Sequence, residues 1–277
     1  MTAPGDDGTL RATAYEVIDR TAVITLDRPH RGNAWTGRMH AEYRLLLQWA
    51  EQDPTVRVIV VTGRGDMFCV GGDSQALEGH ASRGDYDDGL SGDEATPGHG
   101  LRAEFDHPFA YHFGLAKPVV AAINGPAAGI GLVLACFCDL RFARPGAKLT
   151  TAHGKLNLPA EYGLSWLLPR LMGLTHAMDL LLTSRIVLAE EAATMGLINQ
   201  IHPADELLDR TLAFTRNLAS TVSARSLTET RRQVYLDLHR DVGASVTHSL
   251  ELFSSMMADP DYRKGVGALR AKRPPDF

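Results

Sequence analysis

Residues 118–137 form a stretch of twenty residues without a single charged side chain, and this stretch limits the possible folds more than any other. A helix of about 20 apolar residues is long enough to cross a bilayer. Here, however, Asn124, Pro126 and three glycines interrupt the apolar residues. These interruptions are typical of a buried strand, a tight turn and a buried helix. We therefore expect a globular core at this point and no membrane partner.

The rest of the first two-thirds of the chain alternates between strand and helix patterns. Residues 14–27 alternate apolar and polar positions, which predicts two strands joined as a hairpin. Residues 56–63 are a continuous β-branched run, typical of a strand that is covered on both faces. A helix is expected to begin after the N-cap Thr36, and from about Tyr162 the pattern is mainly helical. This order predicts an α/β core followed by an α-helical part.

Residues 79–100 interrupt the core with a different composition. They contain six glycines and five acidic residues and almost no apolar ones. A structureless segment of this length is usually a functional loop or disordered, so we expect a mobile insert that acts as a lid or stays disordered. The predicted organisation is a core over residues 1–200 that contains this insert, and a C-terminal helical region over residues 201–277.

Charge and cysteine content exclude several classes of function. The chain carries 28 Lys and Arg against 33 Asp and Glu, a net charge of −5 without a basic run, so no nucleic-acid partner is expected. Cys69, Cys136 and Cys138 lack the spacing of metal ligands, so we expect no metal site. The first seventeen residues contain acids and no apolar stretch, which does not resemble a secretory signal. These features together predict a cytoplasmic protein.

Two glycine-bearing segments, residues 63–73 and 117–131, are the candidates for a functional site. Each follows or contains a predicted strand, and taken singly each is explained by tight turns and close packing. Together they could direct two backbone N–H groups at one oxygen atom, which is an oxyanion hole. Neither segment matches the nucleotide-binding glycine patterns, and the chain has no G-x-S-x-G, so a nucleotide-driven enzyme and a serine hydrolase are disfavoured.

Five segments in order resemble motifs of the enoyl-CoA hydratase/isomerase (crotonase) family. They are VITLDRPHRGNAW at 23–35, FCVGGD at 68–73, KPVVAAINGPAAGIG at 117–131, NLPAEYGLSWLLPRLMG at 157–173 and DYRKGVGALRAKRPPDF at 261–277. The resemblance implies an α/β fold, a crotonase-like spiral of ββα turns, with a C-terminal α-helical region that mediates trimers, often paired as hexamers. It implies an acyl thioester of coenzyme A as substrate, with coenzyme A entering as part of that substrate and no separate cofactor.

The same resemblance assigns roles to individual residues. The thioester oxygen would lie between the backbone N–H groups of Gly72 and Ile130, which would stabilise an enolate. The coenzyme A portion would lie along a set of residues in which Arg31 has the chemistry to pair with phosphate. Asp73 belongs to this set, and we interpret it as a cap and loop organiser rather than a base. The complete set is His30, Arg31, Ala34, Gly71, Asp73, Ser74, Gln75 and Gly129.

The acidic residues decide which reaction is expected. Hydratases of the family carry two glutamates, and by position Val133 replaces the first while Glu161 occupies the place of the second. A single carboxylate suits a proton shuttle between C2 and C4 in an isomerase, whereas hydration would need another group to position the water. Glu161 is also explained as a first-turn acid favoured by a helix dipole. His153 either lines the pocket or is an ordinary packed residue.

We therefore expect an enoyl-CoA hydratase/isomerase, a lyase or isomerase of the kind used in fatty acid metabolism, with Glu161 as acid/base. Two alternatives remain open. The chain is a catalytically silent acyl-CoA-binding protein that has lost one acid, or it is a thioester hydrolase or decarboxylase on the same scaffold.

Overall fold

A computed structural model describes residues 10–277 of the chain. The expectation that the N-terminus carries no secretory signal concerns a segment whose first nine residues lie outside the described part. Within residues 10–277 the strands are β1 (Thr13–Ile18), β2 (Thr21–Leu26), β3 (Val58–Gly63), β4 (Val119–Ile123), β5 (Ala127–Ala128), β6 (Leu140–Ala143), β7 (Lys148–Thr150), β8 (Val187–Leu188) and β9 (Gln200–Ile201). The helices are α1 (Gly37–Gln52), α2 (Ser74–Arg83), α3 (Ile130–Phe137), α4 (Leu164–Thr183), α5 (Ala189–Thr194), α6 (Leu207–Thr221), α7 (Ala224–Asp237), α8 (Val242–Met257) and α9 (Pro260–Arg270).

The strands form two sheets. The larger has the order β1-β2-β3-β4-β6-β9, with β1 and β2 as an antiparallel hairpin and the other neighbours parallel. The smaller has the order β5-β7-β8. The predicted hairpin and the mixed α/β class are confirmed. The uncharged stretch is built as β4, a turn through β5, and α3, and none of the helices in the described residues is long and apolar enough to span a membrane.

Both faces of the large sheet are covered, as the β-branched run predicts. Ile59 and Val61 of β3 belong to the main core with α1, α3 and α4, whereas Val58 and Val60 pack on the opposite face with α6. Because β-strand side chains alternate between faces, an unbroken apolar run is what a doubly covered strand requires. The N-cap of α1 is also confirmed, since the Thr36 hydroxyl accepts a hydrogen bond from the Met39 N–H at 3.2 Å.

A buried ion pair fastens the C-terminal helices to the core. Arg231 of α7 is only 6% exposed and donates from Nε to Asp139 Oδ2 at 2.9 Å. The same guanidinium donates to the backbone carbonyl of His112, and the Tyr235 hydroxyl donates to Asp139 Oδ1 at 2.6 Å. The charges are thus satisfied by hydrogen bonds on both sides, which a buried pair needs in order to be tolerated.

The insert begins later than the sequence predicts. Residues 79–83 are the last turn of α2 rather than loop, and the helix ends only at Gly84, whose left-handed φ of 68° is favourable for glycine. Asp73 starts this helix by accepting a hydrogen bond from the Gln75 N–H. Capping at both ends explains why a glycine-containing, polar segment is helical here. Residues 84–100 contain turns and bends but no helix or strand.

Candidate active site

A cavity of about 320 Å³ lies where the two glycine-bearing segments meet the chain between β7 and α4. The first turn of α1 and the insert complete the walls of the cavity. Seven residues selected from the sequence line it: Gly71, Gly72, Asp73, Gln75, Gly129, Ile130 and Glu161. The fold therefore gathers the oxyanion candidates and the acid/base candidate around one space.

The hydrogen bonds around Gly72 leave its own N–H pointing away from the segment that contains Trp35. Trp35 N–H donates to the carbonyl of Gly71, and Asp73 N–H donates to the carbonyl of Trp35. These two bonds form a parallel bridge between Trp35 and Gly72, so the groups of Gly72 itself point to the opposite side. Gly72 is exposed and lines the cavity, which makes its N–H available to a ligand.

Ile130 supplies the second N–H because it is the first residue of α3. The residue before it, Gly129, has a left-handed φ of 47° and donates to the Thr150 carbonyl. The Gly129 carbonyl accepts from Leu132 and Val133, which closes the first helical turn. The N–H groups of the first turn have no partner within a helix, and they carry the positive end of the helix dipole.

Glu161 brings a carboxylate to the same place. A Cβ at Gly129 would lie 3.4 Å from Glu161 Oε2, so the carboxylate packs against the residue that precedes the Ile130 N–H. Burial raises the pKa of Glu161 above its ordinary value, and no ion pair or hydrogen bond within the described residues opposes this. A carboxyl group with a raised pKa holds a proton more readily than an ordinary glutamate does, which suits a group that must both take up and release one.

The other carboxylates of the cavity are engaged in local structure. Asp87 accepts from the Gly89 N–H at 2.8 Å and Asp88 accepts from the Leu90 N–H at 3.0 Å. Burial alone would raise the pKa of Asp73, but its bond from Gln75 and its pairs with Arg28 and Arg31 outweigh this and lower the pKa. Asp73 thus caps α2 as expected, and its assignment as an organiser rather than a base stays a prediction.

The remaining coenzyme A candidates do not line the cavity. His30 is exposed, and Ala34 is buried with its carbonyl bonded to Arg28. Arg31 donates to Asp73 at 3.3 Å and to the exposed Ser74 hydroxyl at 3.2 Å. It therefore lies next to Asp73, which lines the cavity, but does not line the cavity itself. The contacts of these residues with coenzyme A therefore stay a prediction.

Val133 lies in the core and not in the cavity. Its side chain is fully buried among the residues of the main core. The three cysteines are buried and free. Residues 10–277 contain no group of three or more His, Cys, Asp or Glu side chains that could hold a metal ion.

Sequence reasoning missed several residues that line the cavity, among them His40, Tyr86 and Tyr162. The hydroxyls of Tyr86, in the insert, and Tyr162 are hydrogen-bonded to each other. Burial lowers the pKa of His40 to about 4, with a smaller contribution from Arg44. Local patterns carry no signal for these residues, because they meet only through the tertiary fold. His153, left open from the sequence, also lines the cavity.

Known proteins match the chain over most of its length. Residues 19–277 match the family described as enoyl-CoA hydratase/isomerase. The chain is 34% identical to 1,2-epoxyphenylacetyl-CoA isomerase of Escherichia coli (strain K12), over 92% of this chain and 93% of that protein. It is 33% identical to a probable enoyl-CoA hydratase of Rhodobacter capsulatus, over 95% and 96% of the two chains.

Solved structures give the same result. A probable enoyl-CoA hydratase/isomerase from Mycobacterium abscessus superposes with a TM-score of 0.83 at 28% identity, covering 95% of this chain and 97% of the other. A putative enoyl-CoA hydratase from Streptomyces coelicolor A3(2) superposes with a TM-score of 0.82 at 29% identity, covering 96% and 94%. The chain therefore belongs to the enoyl-CoA hydratase/isomerase family.

Proposed function

We propose that the protein is an acyl-CoA-processing enzyme that acts on an enoyl-CoA thioester through an enolate. The observation that carries this proposal is the position of Glu161, a half-buried and unpaired carboxylate beside the N-terminus of α3, in the cavity that Gly72 also lines. A base and two N–H donors around one space are what proton abstraction next to a thioester carbonyl needs.

In this mechanism the thioester oxygen accepts hydrogen bonds from the N–H groups of Gly72 and Ile130. The Glu161 carboxylate removes a proton from C2 of a 3-enoyl thioester, and the electron pair is delocalised onto the thioester oxygen. Glu161 then returns the proton to C4, which moves the double bond to the C2–C3 position. The donors act most strongly on the enolate, where the negative charge develops, so they lower the barrier rather than only binding the substrate.

Isomerisation is supported over hydration by the carboxylates of the cavity. Val133 lies in the core, and the aspartates that line the cavity are bonded within turns and caps. Among the carboxylates that line the cavity, Glu161 alone is left free to exchange protons, and one such group suffices to shuttle a proton between two carbons of the same substrate.

We propose that coenzyme A, which enters as part of the substrate, binds on the surface next to Asp73. Arg31 is partly exposed there, with Ser74 and Gln75 on the first turn of α2. Guanidinium groups bind phosphate well, so the nucleotide end of coenzyme A is assigned to Arg31 and His30. The pantetheine would follow Ala34 and Gly71 toward the cavity.

We also propose that the chain assembles as a homotrimer, or as a hexamer of two trimers. The side chains on one face of α8 are 51–81% exposed although they are apolar, namely Val242, Val246, Leu250, Phe253 and Met257. A second exposed apolar row on and after α4 consists of Leu174, Met178, Leu182 and Ile186. Apolar surface of this extent usually marks a protein interface. The three free buried cysteines fit a cytoplasmic location, where thiols stay reduced.

Product analysis with a panel of coenzyme A thioesters tests the function. Wild type, Glu161→Gln and the exposed control Glu16→Gln are each incubated with a 3-enoyl-CoA, a 2-enoyl-CoA, a saturated acyl-CoA and a malonyl-type CoA. The proposal predicts 2-enoyl-CoA from the first substrate with wild type and the control, and its loss in Glu161→Gln. Release of free coenzyme A or carbon dioxide as the main reaction would instead identify a hydrolase or decarboxylase, and binding without any product would identify a silent binding protein.

A further inference from the structure

His153 is a buried histidine that the proposed isomerisation does not use. It begins a 3₁₀ turn (His153–Leu156) between β7 and α4 and is only 6% exposed. Its side chain lines the same cavity as Glu161, Gly72 and Ile130. A group that can change its protonation state therefore borders the reacting atoms of any substrate bound there.

The ring of His153 is not satisfied by the protein. Its Nδ1 atom is sealed from solvent without a hydrogen-bond partner, and among the described residues with such an atom only His153 and Trp35 line the cavity. An unpaired buried polar group costs about 1–3 kcal/mol. A catalytic role is one recognised explanation for a buried group left in this state. With Nδ1 sealed, Nε2 is the nitrogen left for a molecule in the cavity.

The backbone that holds His153 is strained and firmly fixed. Ala152 has a left-handed φ of 59°, and Tyr162, beside Glu161, has a φ of 45°, although neither is glycine. Such conformations cost about 1–3 kcal/mol each and persist only where surrounding contacts enforce them. At Ala152 the Ser184 hydroxyl provides such contacts, because it is hydrogen-bonded to the Thr151 hydroxyl at 3.1 Å and to the Gly154 N–H at 3.0 Å. The turn that carries the imidazole is thus fixed beside the cavity.

We infer that His153 is a second catalytic group, which activates a water molecule so that the site also hydrates 2-enoyl-CoA thioesters. The inference rests on the proposed thioester site and extends it. An imidazole nitrogen with a free lone pair can accept a proton from water, a role that valine at position 133 cannot fill. The cavity would then hold two acid/base groups, Glu161 and His153.

The step balances without any further reactant. A proton of the water passes to Nε2 of His153 while the water oxygen forms a bond to C3. The electron pair of the C2–C3 double bond moves toward C2 and is delocalised onto the thioester oxygen between Gly72 and Ile130. Protonated Glu161 gives its proton to C2, and the proton on His153 returns to Glu161 through solvent. One water is consumed and a 3-hydroxyacyl thioester is formed.

The test compares two activities in the same variants. His153→Gln keeps hydrogen-bonding capacity but cannot take up a proton, and His202→Gln is the matched control, since His202 packs on Phe142 and does not line the cavity. Each protein is assayed for hydration of a 2-enoyl-CoA and for deuterium exchange at C2 of a 3-enoyl-CoA. General-base loss costs about 10²–10⁴-fold, so we expect hydration to fall by at least about 100-fold in His153→Gln, at least tenfold more than exchange.

The comparison of the two activities separates a chemical role from a structural one. A structural defect would lower hydration and exchange together, whereas loss of the group that activates water lowers hydration far more than exchange. Undiminished hydration in His153→Gln, an equal fall in hydration and exchange, or wild-type exchange without any hydration would each overturn the inference. Absence of Glu161-dependent exchange in wild type would instead contradict the proposed function itself.

Discussion

Gly129 and Glu161 are packed so closely that a Cβ at residue 129 would lie 3.4 Å from the Oε2 atom of Glu161. Two residues that are 32 positions apart in the chain are thereby joined at the start of α3. The glycine also has a left-handed φ of 47°, a conformation that other residues rarely adopt. This contact places the acid/base candidate one residue from an oxyanion donor, which is the relationship on which the proposed chemistry depends.

Replacement of Gly72 tests the oxyanion hole. A Cβ at this position would meet only the Leu77 side chain, at an ordinary 3.6 Å, and no left-handed φ is required. Gly72→Val should therefore fold, while its branched side chain displaces the thioester from the N–H donors. We expect turnover to fall about 100-fold or more, the scale of one lost oxyanion contact. Steady-state kinetics measures this.

Ile130→Val is the matched control for that experiment. It keeps the backbone N–H and removes one methylene group, at a stability cost of about 0.5–1.5 kcal/mol. Its turnover should fall much less than that of Gly72→Val. Normal turnover in a folded Gly72→Val protein would remove Gly72 from the site.

Replacement of Val133 by glutamate is expected to destabilise the fold rather than to create a hydratase with two catalytic glutamates. Val133 is fully buried in the main core, so glutamate there would be a charge without a partner. Uncompensated buried charges cost about 3–5 kcal/mol. Urea unfolding of Val133→Glu should show a loss of this size, and Val133→Ala, which adds no charge, a smaller one. A stable Val133→Glu protein with increased hydration would show that this position reaches the cavity.

The sequence predicts the strands and helices better than it predicts the residues that line the cavity. The runs at 14–27, 56–63 and 118–137 predict β1 to β4 and α3, because burial on one or both faces leaves a local periodicity. The end of α2 was predicted wrongly, since its Gly84 C-cap resembles an ordinary loop glycine. The hydrogen bond between Tyr86 and Tyr162 joins segments 76 residues apart, and no local pattern indicates such a contact.

Two buried histidines predict a loss of stability in mild acid. Burial lowers the pKa of His40 to about 4, and burial followed by Arg231 lowers that of His112 to about 3. The unfolded chain, with an ordinary histidine pKa near 6.5, binds more protons below that pH, so the free energy of unfolding falls as the pH falls. At pH 5 each histidine should lower the free energy of unfolding by about 2 kcal/mol.

Urea unfolding at pH 7.5, 6 and 5 measures this dependence. The pKa values of Asp53 and Asp73 are lowered in the folded protein. The stability that these carboxylates contribute is therefore lost only at a pH below this range, and it does not affect the comparison. His40→Phe removes one of the two groups and should reduce the fall by about half. A free energy of unfolding that is constant between pH 7.5 and 5 would contradict the neutral, buried state of both rings.

The exposed row on α8 predicts self-association. Wild type should sediment as a trimer or hexamer at micromolar concentration, because assembly removes Leu250 and Phe253 from water. Phe253→Asp should shift the protein toward the monomer, whereas Ser254→Asp, one position outside the row, should not. A stable wild-type monomer in sedimentation velocity would rule out this assembly.

Deuterium exchange at C2 of a 3-enoyl-CoA in heavy water, followed by mass spectrometry, tests the central claim most directly, since it reports proton abstraction whatever the final product. Wild type should incorporate deuterium, and Glu161→Gln should slow exchange by about 10²–10⁴-fold while still binding coenzyme A. Because the pKa of Glu161 is raised by burial, the wild-type rate should fall as the pH drops through a midpoint above the ordinary glutamate value. Exchange at the wild-type rate in Glu161→Gln, or none in wild type, would contradict the account.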